Sequence, residues 1–288
     1  MKVSIIGGTG RMGRWLARFL KEEGADVTII GRDPVSTQQA GLDIDCQATT
    51  DITTVQGSRA IIISVAIDAF EEVVKKLAPI TTDNQSIIDI TSIKIMPVEI
   101  MNRYIVKGTA LGAHPVFGPG ARGVSGQNFV LTPTSVPQQE LAEKVRKFLC
   151  QRGARVRIMS PEEHDRLMAV ILGLAHFISI VSANTLVDYG KLEEMAGVQG
   201  VTYRALLTLI ESVLSEDPEL YASLQMNLPH MKDAQGIFIS NAKLWSELVE
   251  KKDRQSFVER MKQLRQQFEE NNPHFGQAYD NMYRLGNR

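Results

Sequence analysis

A glycine-rich turn near the N-terminus constrains the fold of this chain more than any other feature. The apolar run 3–6 leads directly into Gly7-Gly8-Thr9-Gly10-Arg11-Met12-Gly13, and Met12, Leu16 and Leu20 then recur at helical spacing. A strand that ends in G-x-G-x-x-G and opens a helix is the arrangement that seats a dinucleotide pyrophosphate on a helix N-terminus. Gly8 is expected to permit the tight turn and Gly10 to let the phosphates approach the backbone. Gly13 is expected to let the helix pack closely on the strand. Thr9, Arg11 and Met12 complete the candidate cofactor loop.

The first half of the chain continues in the same idiom. Residues 26–30, 60–64, 86–90, 109–113 and 129–132 read as strands, and Phe70, Val73, Val74 and Leu77 carry a helical period between two of them. Strands alternating with helices predict a doubly wound, mostly parallel sheet with helices on both faces. The pattern changes at Ser160-Pro161-Glu162-Glu163, which has an N-cap residue, proline at the first helical position and glutamate at the third. Behind it only helical periods occur. Leu206, Leu207, Ile210, Val213 and Leu214 form one apolar stripe; Phe257, Met261, Leu264 and Phe268 form another. The expected class is α/β: a Rossmann-type dinucleotide-binding domain over 1–159, then an all-α substrate and dimerisation domain over 160–288.

Composition excludes several partners. A formal net charge of -1 gives nucleic-acid binding no global electrostatic support. Cys46 and Cys150 sit in no metal-ligand spacing and suit a reduced, cytoplasmic setting, and no metal site is expected. No secretory signal pattern opens the sequence. The uncharged run 167–187 is about as long as a bilayer span. It contains His176, Ser179, Ser182, Asn184 and Thr185. It is therefore read as a helix buried on nearly all sides in a soluble helical domain, with no membrane partner.

The end of the second strand bears on the cofactor. An NAD site usually carries an acid there to hold the ribose hydroxyls. Here the sequence is Ile30-Gly31-Arg32-Asp33. Glycine replaces the acid, and Arg32 can hold a 2′-phosphate bidentately. NADP is favoured, and Asp33 keeps NAD open. Two further strand ends carry polar groups: Thr91-Ser92-Ile93-Lys94, and His114-Pro115-Val116-Phe117-Gly118-Pro119-Gly120. A histidine beside a nicotinamide suits alcohol oxidation, because neutral imidazole accepts the hydroxyl proton near pH 7. His114 is the candidate base and Ser92 a hydroxyl that could orient it.

The segments Asp89-Ile90-Thr91-Ser92-Ile93-Lys94, His114 to Gly120 and His164-Asp165-Arg166 follow the glycine turn in that order. Together with Gly126-Gln127-Asn128-Phe129-Val130-Leu131-Thr132-Pro133 and Gly173-Leu174-Ala175-His176, they resemble the prephenate/arogenate dehydrogenase family of tyrosine biosynthesis. The resemblance implies an NAD(P)-dependent oxidative decarboxylation of prephenate or arogenate. Hydride leaves the ring carbon that bears the hydroxyl, and carbon dioxide departs as the ring becomes aromatic. It further implies that His114 takes the hydroxyl proton, that Ser92 bonds near it, and that His176 lines the substrate pocket. His164 and Asp165, in the first turn of the capped helix, are read as structural.

The substrate's carboxylates need cationic partners. Many bacterial relatives carry His-x-Pro-His where this chain has Gly173-Leu174-Ala175-His176. Glu211 and Ser212 stand where the family's pocket arginine is expected. Arg204, Arg122 and Lys94 are the candidate substitutes. The apolar stripes behind Ser160 exceed what one small bundle needs, so a homodimer through the helices is expected. Two other readings fit the turn: another two-domain NADP oxidoreductase of the hydroxyacid dehydrogenase or imine reductase type, and a non-enzymatic NADP-sensing regulator. The former usually places Lys or Asp on the long helix, and the latter leaves Ser92, Lys94 and His114 without a role.

Overall fold

A computed structural model describes residues 1–286, with side chains described through residue 284. The chain divides into two compact units. One comprises Met1–Met168 with Met226–Leu228, and the other Ala169–Gln225 with the residues from Pro229 onward.

The first unit is built on eight strands: β1 (Lys2–Ile6), β2 (Asp26–Ile30), β3 (Gln47–Thr49), β4 (Ala60–Ile63), β5 (Ser86–Asp89), β6 (Thr109–Pro115), β7 (Asn128–Thr132) and β8 (Arg155–Ile158). Its helices are α1 (Arg11–Glu22), α2 (Pro34–Ile44), α3 (Phe70–Leu77), α4 (Ile95–Tyr104), α5 (Val136–Cys150) and α6 (Pro161–Met168). The strand order is β3-β2-β1-β4-β5-β6-β7-β8. All neighbours run parallel except β6 and β7. The order therefore reverses between β1 and β4, the place where open α/β sheets bind ligands.

Strand periodicity splits the core in two. Val3 and Ile5 of β1, with Val27 and Ile29 of β2, pack against Leu16 and Ala17 of α1 and Ala40 and Ile44 of α2. The intervening positions, Ile6 and Ile30, join Ile61, Ile63, Phe70, Val74, Leu77, Val98 and Met101 on the other side. Such strands read as continuous apolar runs because helices cover both faces. Two strands lack that signature. β3 is three residues long, and β8 alternates Arg155 and Arg157 with Val156 and Ile158 at the sheet edge. Edge strands commonly carry charge that discourages further pairing.

The first compact unit extends through Met168 and so includes α6. α6 begins as its cap predicts, with Glu163 N–H donating to Ser160 Oγ at 3.1 Å. It stays with the first unit because the Asp165 carboxylate accepts backbone hydrogen bonds at the start of α4.

The second unit is helical throughout its described residues. A π-helical turn (Ala169–Leu174) leads into α7 (Ala175–Tyr189), followed by α8 (Leu192–Val198), α9 (Val201–Leu214), α10 (Pro218–Asn227, which belongs to this unit through Gln225), α11 (Met231–Glu250), α12 (Arg254–Asn271) and α13 (Ala278–Gly286). The segment Pro161–Tyr189 is long and apolar enough to cross a membrane. The expectation that it is buried on nearly all sides is not met in the single chain. Val170, Ile171 and Val187 are 56%, 56% and 65% exposed. The reason lies in the whole unit. Ile210 and Val213 of the α9 stripe are buried, but Phe257, Met261, Leu264 and Phe268 of α12 are all exposed. A helix covers only the stripe it packs on, so a unit made of helices alone leaves several apolar faces bare.

Candidate active site

The turn after β1 has the geometry of a phosphate cradle. Gly7 is its left-handed residue, at φ +81°, and a Cβ there would lie 2.2 Å from the Ser64 carbonyl oxygen. The tight turn expected of Gly8 thus belongs to Gly7. Gly8 is required for packing, since its Cβ would sit 2.6 Å from that of Ile29. At Gly13 a Cβ would come within 2.4 Å of the Gly7 oxygen, so helix and turn meet backbone to backbone. Gly10 meets only Gly7 oxygen at 3.4 Å and leaves space on its other sides. It caps α1 without any side-chain bond, leaving the first N–H groups of the helix for an anion. Thr9 is anchored through its carbonyl by Arg14 Nε at 2.9 Å. Arg11 is exposed, and Met12 packs partly buried on the core.

Beyond β2, packing rules out an acid at position 31. A Cβ on Gly31 would lie 2.1 Å from Thr37 Oγ1 and 2.7 Å from Thr9 Cγ2. Asp33 caps α2 by accepting the Ser36 N–H at 2.8 Å, and that hydrogen bond holds its carboxyl below the usual range. Arg32 is exposed at its side.

The carboxyl ends of β5 and β6 carry a buried polar network. Asp89, the last residue of β5, accepts the Thr91 N–H at 2.7 Å and is paired with Lys94 Nζ. Lys94 also donates to the Ala113 carbonyl at 2.7 Å, immediately before His114. Burial pushes the Asp89 carboxyl up and the Lys94 amine down, and their mutual attraction opposes both shifts. Lys94 is 0% exposed, and its charge is taken up inside the unit. The expectation that it meets a substrate carboxylate gives way on that ground; it ties β5 to β6 instead.

His114 is 4% exposed. Its Nδ1 lies 2.9 Å from His164 Nε2, and His164 Nδ1 lies 2.7 Å from Asp165 Oδ1. Asp165 in turn accepts the Lys94 N–H at 2.7 Å and the Ile95 N–H at 2.9 Å. A carboxylate at the start of α4 is also favoured by the helix dipole, by up to about 2 kcal/mol in partly buried settings. Burial, then the charges of His164 and Lys94, hold the His114 imidazole well below its usual range. Burial lowers His164 as well, with the Asp165 hydrogen bond acting against it. Both rings are therefore neutral at pH 7.

Ser92 follows β5 as His114 ends β6, on adjacent parallel strands paired through Asp89 and Gly112. It is half-buried, and its hydroxyl has no hydrogen-bond partner among the described residues. Arg122 is exposed in the loop after β6, next to Ala121, which is anchored through its carbonyl. That loop is fastened to α1 by Trp15 Nε1, which donates to the Ala121 carbonyl at 2.6 Å, and by the edge contact of Trp15 with Phe117 at 5.0 Å.

In the second unit, His176 is half-buried on α7, and its Nδ1 has no partner. Burial lowers its pKa. Its ring meets Tyr221 edge-on at 4.7 Å. One turn earlier, the Gly173 carbonyl accepts Gln225 Nε2 at 2.8 Å. Arg204 is exposed on α9.

The hydrogen-bonded partnership of His164 and Asp165 with His114 is what sequence reasoning missed. Placed in a capped first turn, they read as structural. A signal was available, because Pro161, His164, Asp165 and Met168 fall at i, i+3, i+4 and i+7, and all four are buried. Two ionisable groups on the core face of a short helix are rarely left without partners.

Both halves of the chain match known proteins. The family model described as the nucleotide-binding domain of prephenate dehydrogenase matches residues 16–158, and that described as its dimerization domain matches residues 160–263. A probable arogenate/prephenate dehydrogenase of Methanocaldococcus jannaschii is 34% identical over 93% of this chain, which spans 61% of that protein's length. The T-protein of Haemophilus influenzae is 26% identical, with 93% of this chain and 67% of that protein aligned. Among solved structures, prephenate dehydrogenase from A. aeolicus, in complex with hydroxyphenyl propionate and NAD+, has a TM-score of 0.77. The two are 24% identical, over 94% of this chain and 98% of that one. With both of its domains matched in order, the chain belongs to the prephenate/arogenate dehydrogenase family.

Proposed function

We propose that the protein catalyses the NADP-dependent oxidative decarboxylation of prephenate or arogenate, with His114 as the proton acceptor. The observation that carries this reading is a buried, neutral imidazole at the end of β6, on the same carboxyl edge of the sheet as the glycine cradle after β1. Gly7, Gly8, Gly10 and Gly13 would hold the pyrophosphate of a nicotinamide dinucleotide, with the free N–H groups of α1. When bound, that cofactor supplies the hydride acceptor.

The chain's own residues do the rest. His114 takes the proton from the ring hydroxyl as the carbinol carbon is oxidised, a contribution of roughly 10²–10⁴-fold. Ser92, with an uncommitted hydroxyl, hydrogen-bonds beside it. The carboxylate then leaves as carbon dioxide, driven by aromatisation of the ring, and needs no acid catalyst. His176, Arg204 and Arg122 are proposed substrate contacts.

NADP is favoured because Asp33 is committed to capping α2 and Gly31 has no room for a carboxylate, while Arg32 stands exposed between them. The bare stripe on α12 and the match to a dimerization domain support a homodimer through the second unit. Two free cysteines suit a reduced cytoplasm.

The test is absorbance of reduced nicotinamide on mixing the protein with NADP and either prephenate or arogenate. Turnover on one of them is expected, and the ratio of rates names the substrate. His114→Asn is expected to lose turnover by roughly 10²–10⁴-fold while cofactor affinity, read by fluorescence titration, is unchanged. Absence of turnover on both substrates with either NADP or NAD would overturn the reading.

A further inference from the structure

The histidine assigned as base is not alone, and its neighbours decide which of its nitrogens carries hydrogen. Asp165 sets the order. Its two oxygens accept the N–H groups of Lys94 and Ile95, at 2.7 and 2.9 Å. An oxygen that also lies 2.7 Å from His164 Nδ1 must therefore accept from that nitrogen as well. His164 is then the Nδ1–H tautomer, and its Nε2 has only a lone pair to offer. The group within hydrogen-bond reach of that lone pair is His114 Nδ1, at 2.9 Å, which must donate. In a neutral imidazole one nitrogen donates and the other accepts. His114 Nε2 is thus left without hydrogen, and it has no hydrogen-bond partner among the described residues.

We propose that His164 and Asp165 are positioning residues that fix His114 in its Nδ1–H form, leaving Nε2 as the proton acceptor. The inference rests on the proposed oxidation for its use, but the chain of hydrogen bonds stands within the first unit alone. The order of donors runs His114 to His164 to Asp165, with the carboxylate held by the first N–H groups of α4.

The proton balance is simple. The substrate hydroxyl gives its proton to His114 Nε2 as hydride leaves the same carbon for the nicotinamide. The resulting imidazolium keeps its Nδ1–H bond to His164, whose own proton stays on Nδ1, donated to Asp165 Oδ1. No second proton moves. The device resembles the orientation of a base by a buried acid, with one more ring interposed. The other charged groups at this place are Lys94 and Asp89. They are bonded to each other, and Lys94 also to the Ala113 carbonyl, so they do not compete for either ring.

The two rings also fix each other in space. They meet edge-on, with centroids 5.0 Å apart and planes at 71°. His164 is 0% exposed, so its ring has no freedom to turn away.

The experiment has two arms. Long-range proton–nitrogen NMR of the full chain with NADP reads the tautomer directly, without any substrate. His114 is expected to show a protonated Nδ1 and an unprotonated Nε2, and the opposite pattern overturns the proposal even if the enzyme turns over prephenate. The second arm compares His164→Leu with His164→Gln. The glutamine amide oxygen reaches the place of His164 Nε2 and can accept the same hydrogen bond; leucine cannot. His164→Leu is expected to lower kcat by roughly 10- to 100-fold with little change in KM, the usual cost of removing a ligand-orienting partner. His164→Gln is expected to recover most of that loss. If both variants lose stability and kcat equally, His164 is only a packing residue. A wild-type protein that oxidises neither substrate yet shows the expected tautomer would sink the proposed reaction while leaving the positioning network standing.

Discussion

Lys94 and Arg204 are both candidate cations for a dicarboxylate by sequence, and the molecule uses them in opposite ways. Lys94 is fully enclosed in the first unit, with Asp89 and the Ala113 carbonyl as partners. Arg204 stands exposed on α9 in the second unit. The contrast extends to their surroundings. Around His114, Lys94, Asp89, His164 and Asp165 are all hydrogen-bonded. In the second unit, His176 Nδ1 and Gln225 Oε1 are buried without a partner, and the apolar stripe of α12 is bare. The first unit holds these side chains in one connected network. The second has polar and apolar groups that nothing within the single chain satisfies.

Substituting the two cations separates these roles most sharply. Lys94→Met strands the buried Asp89 carboxylate and is expected to cost about 3–5 kcal/mol of stability, measured by urea unfolding. Arg204→Ala removes an exposed side chain and should stay within about 0.5 kcal/mol of the wild type. Its effect appears in the KM for prephenate or arogenate, raised by roughly 10-fold or more if it meets a carboxylate, since hydrogen bonds to charged groups contribute about 1.5–3 kcal/mol. The contrast breaks if Lys94→Met keeps its unfolding midpoint and raises KM instead.

The same contrast explains what could be read from the sequence. The glycine turn, the strands β1, β2 and β4 to β7, and the switch to helices at Ser160 are legible because they depend on local spacing. β3 and β8 are not, since three residues carry no period and the charges of Arg155 and Arg157 mask an edge strand. His114 is found by its place at a strand end. Its partnership with His164 is not, because the two lie 50 residues apart and meet only when α6 docks beside α4. Lys94 shows the reverse. A lysine after a strand end looks available, and only the fold shows Asp89 closing on it. The bare α12 stripe can be read as a period but not as a surface, since periodicity tells which residues share a face and not what covers it.

A homodimer can be tested on that stripe. Met261→Glu with Phe268→Glu changes two exposed side chains, 52% and 59% accessible in the single chain. If a second copy buries them, each contributes about 1.5–3 kcal/mol to association. Sedimentation should then show the double variant as a monomer at micromolar concentration, with the wild type a dimer. A wild type that is already monomeric removes the second copy from the comparison.

Cofactor choice tests the first unit's fixed edge. Arg32→Ala is expected to raise the KM for NADP by roughly 10- to 100-fold, from the loss of one charge-assisted contact of about 1.5–3 kcal/mol. The KM for NAD should change by less than about twofold, because no 2′-phosphate is present to lose that contact. Equal effects on both cofactors would detach Arg32 from the 2′-position.

The smallest expected effect lies in the pH dependence of stability, and its sign follows from the depressed pKa of His114. Above about 6.5, the unperturbed imidazole value, both the folded and the unfolded chain hold this ring neutral, and it has no influence. As the pH falls below that value, the unfolded chain takes up a proton that the folded one resists, because burial and the charges of His164 and Lys94 oppose it. Stability is therefore present above the unfolded pKa and declines toward acid until the folded pKa is reached. Between about pH 7.5 and pH 6 the share of this one residue is at most about 1 kcal/mol, since a tenfold difference in proton affinity corresponds to about 1.36 kcal/mol. Thermal midpoints of the wild type and His114→Asn across that interval measure it. The wild type should lose more than the variant, and His164, lowered for the same reason, supplies part of the loss that remains. Parallel curves would mean that His114 is as free to take a proton in the folded chain as in the unfolded one, and the first unit would then not hold this imidazole in the neutral form that distinguishes it from the open surface of the second.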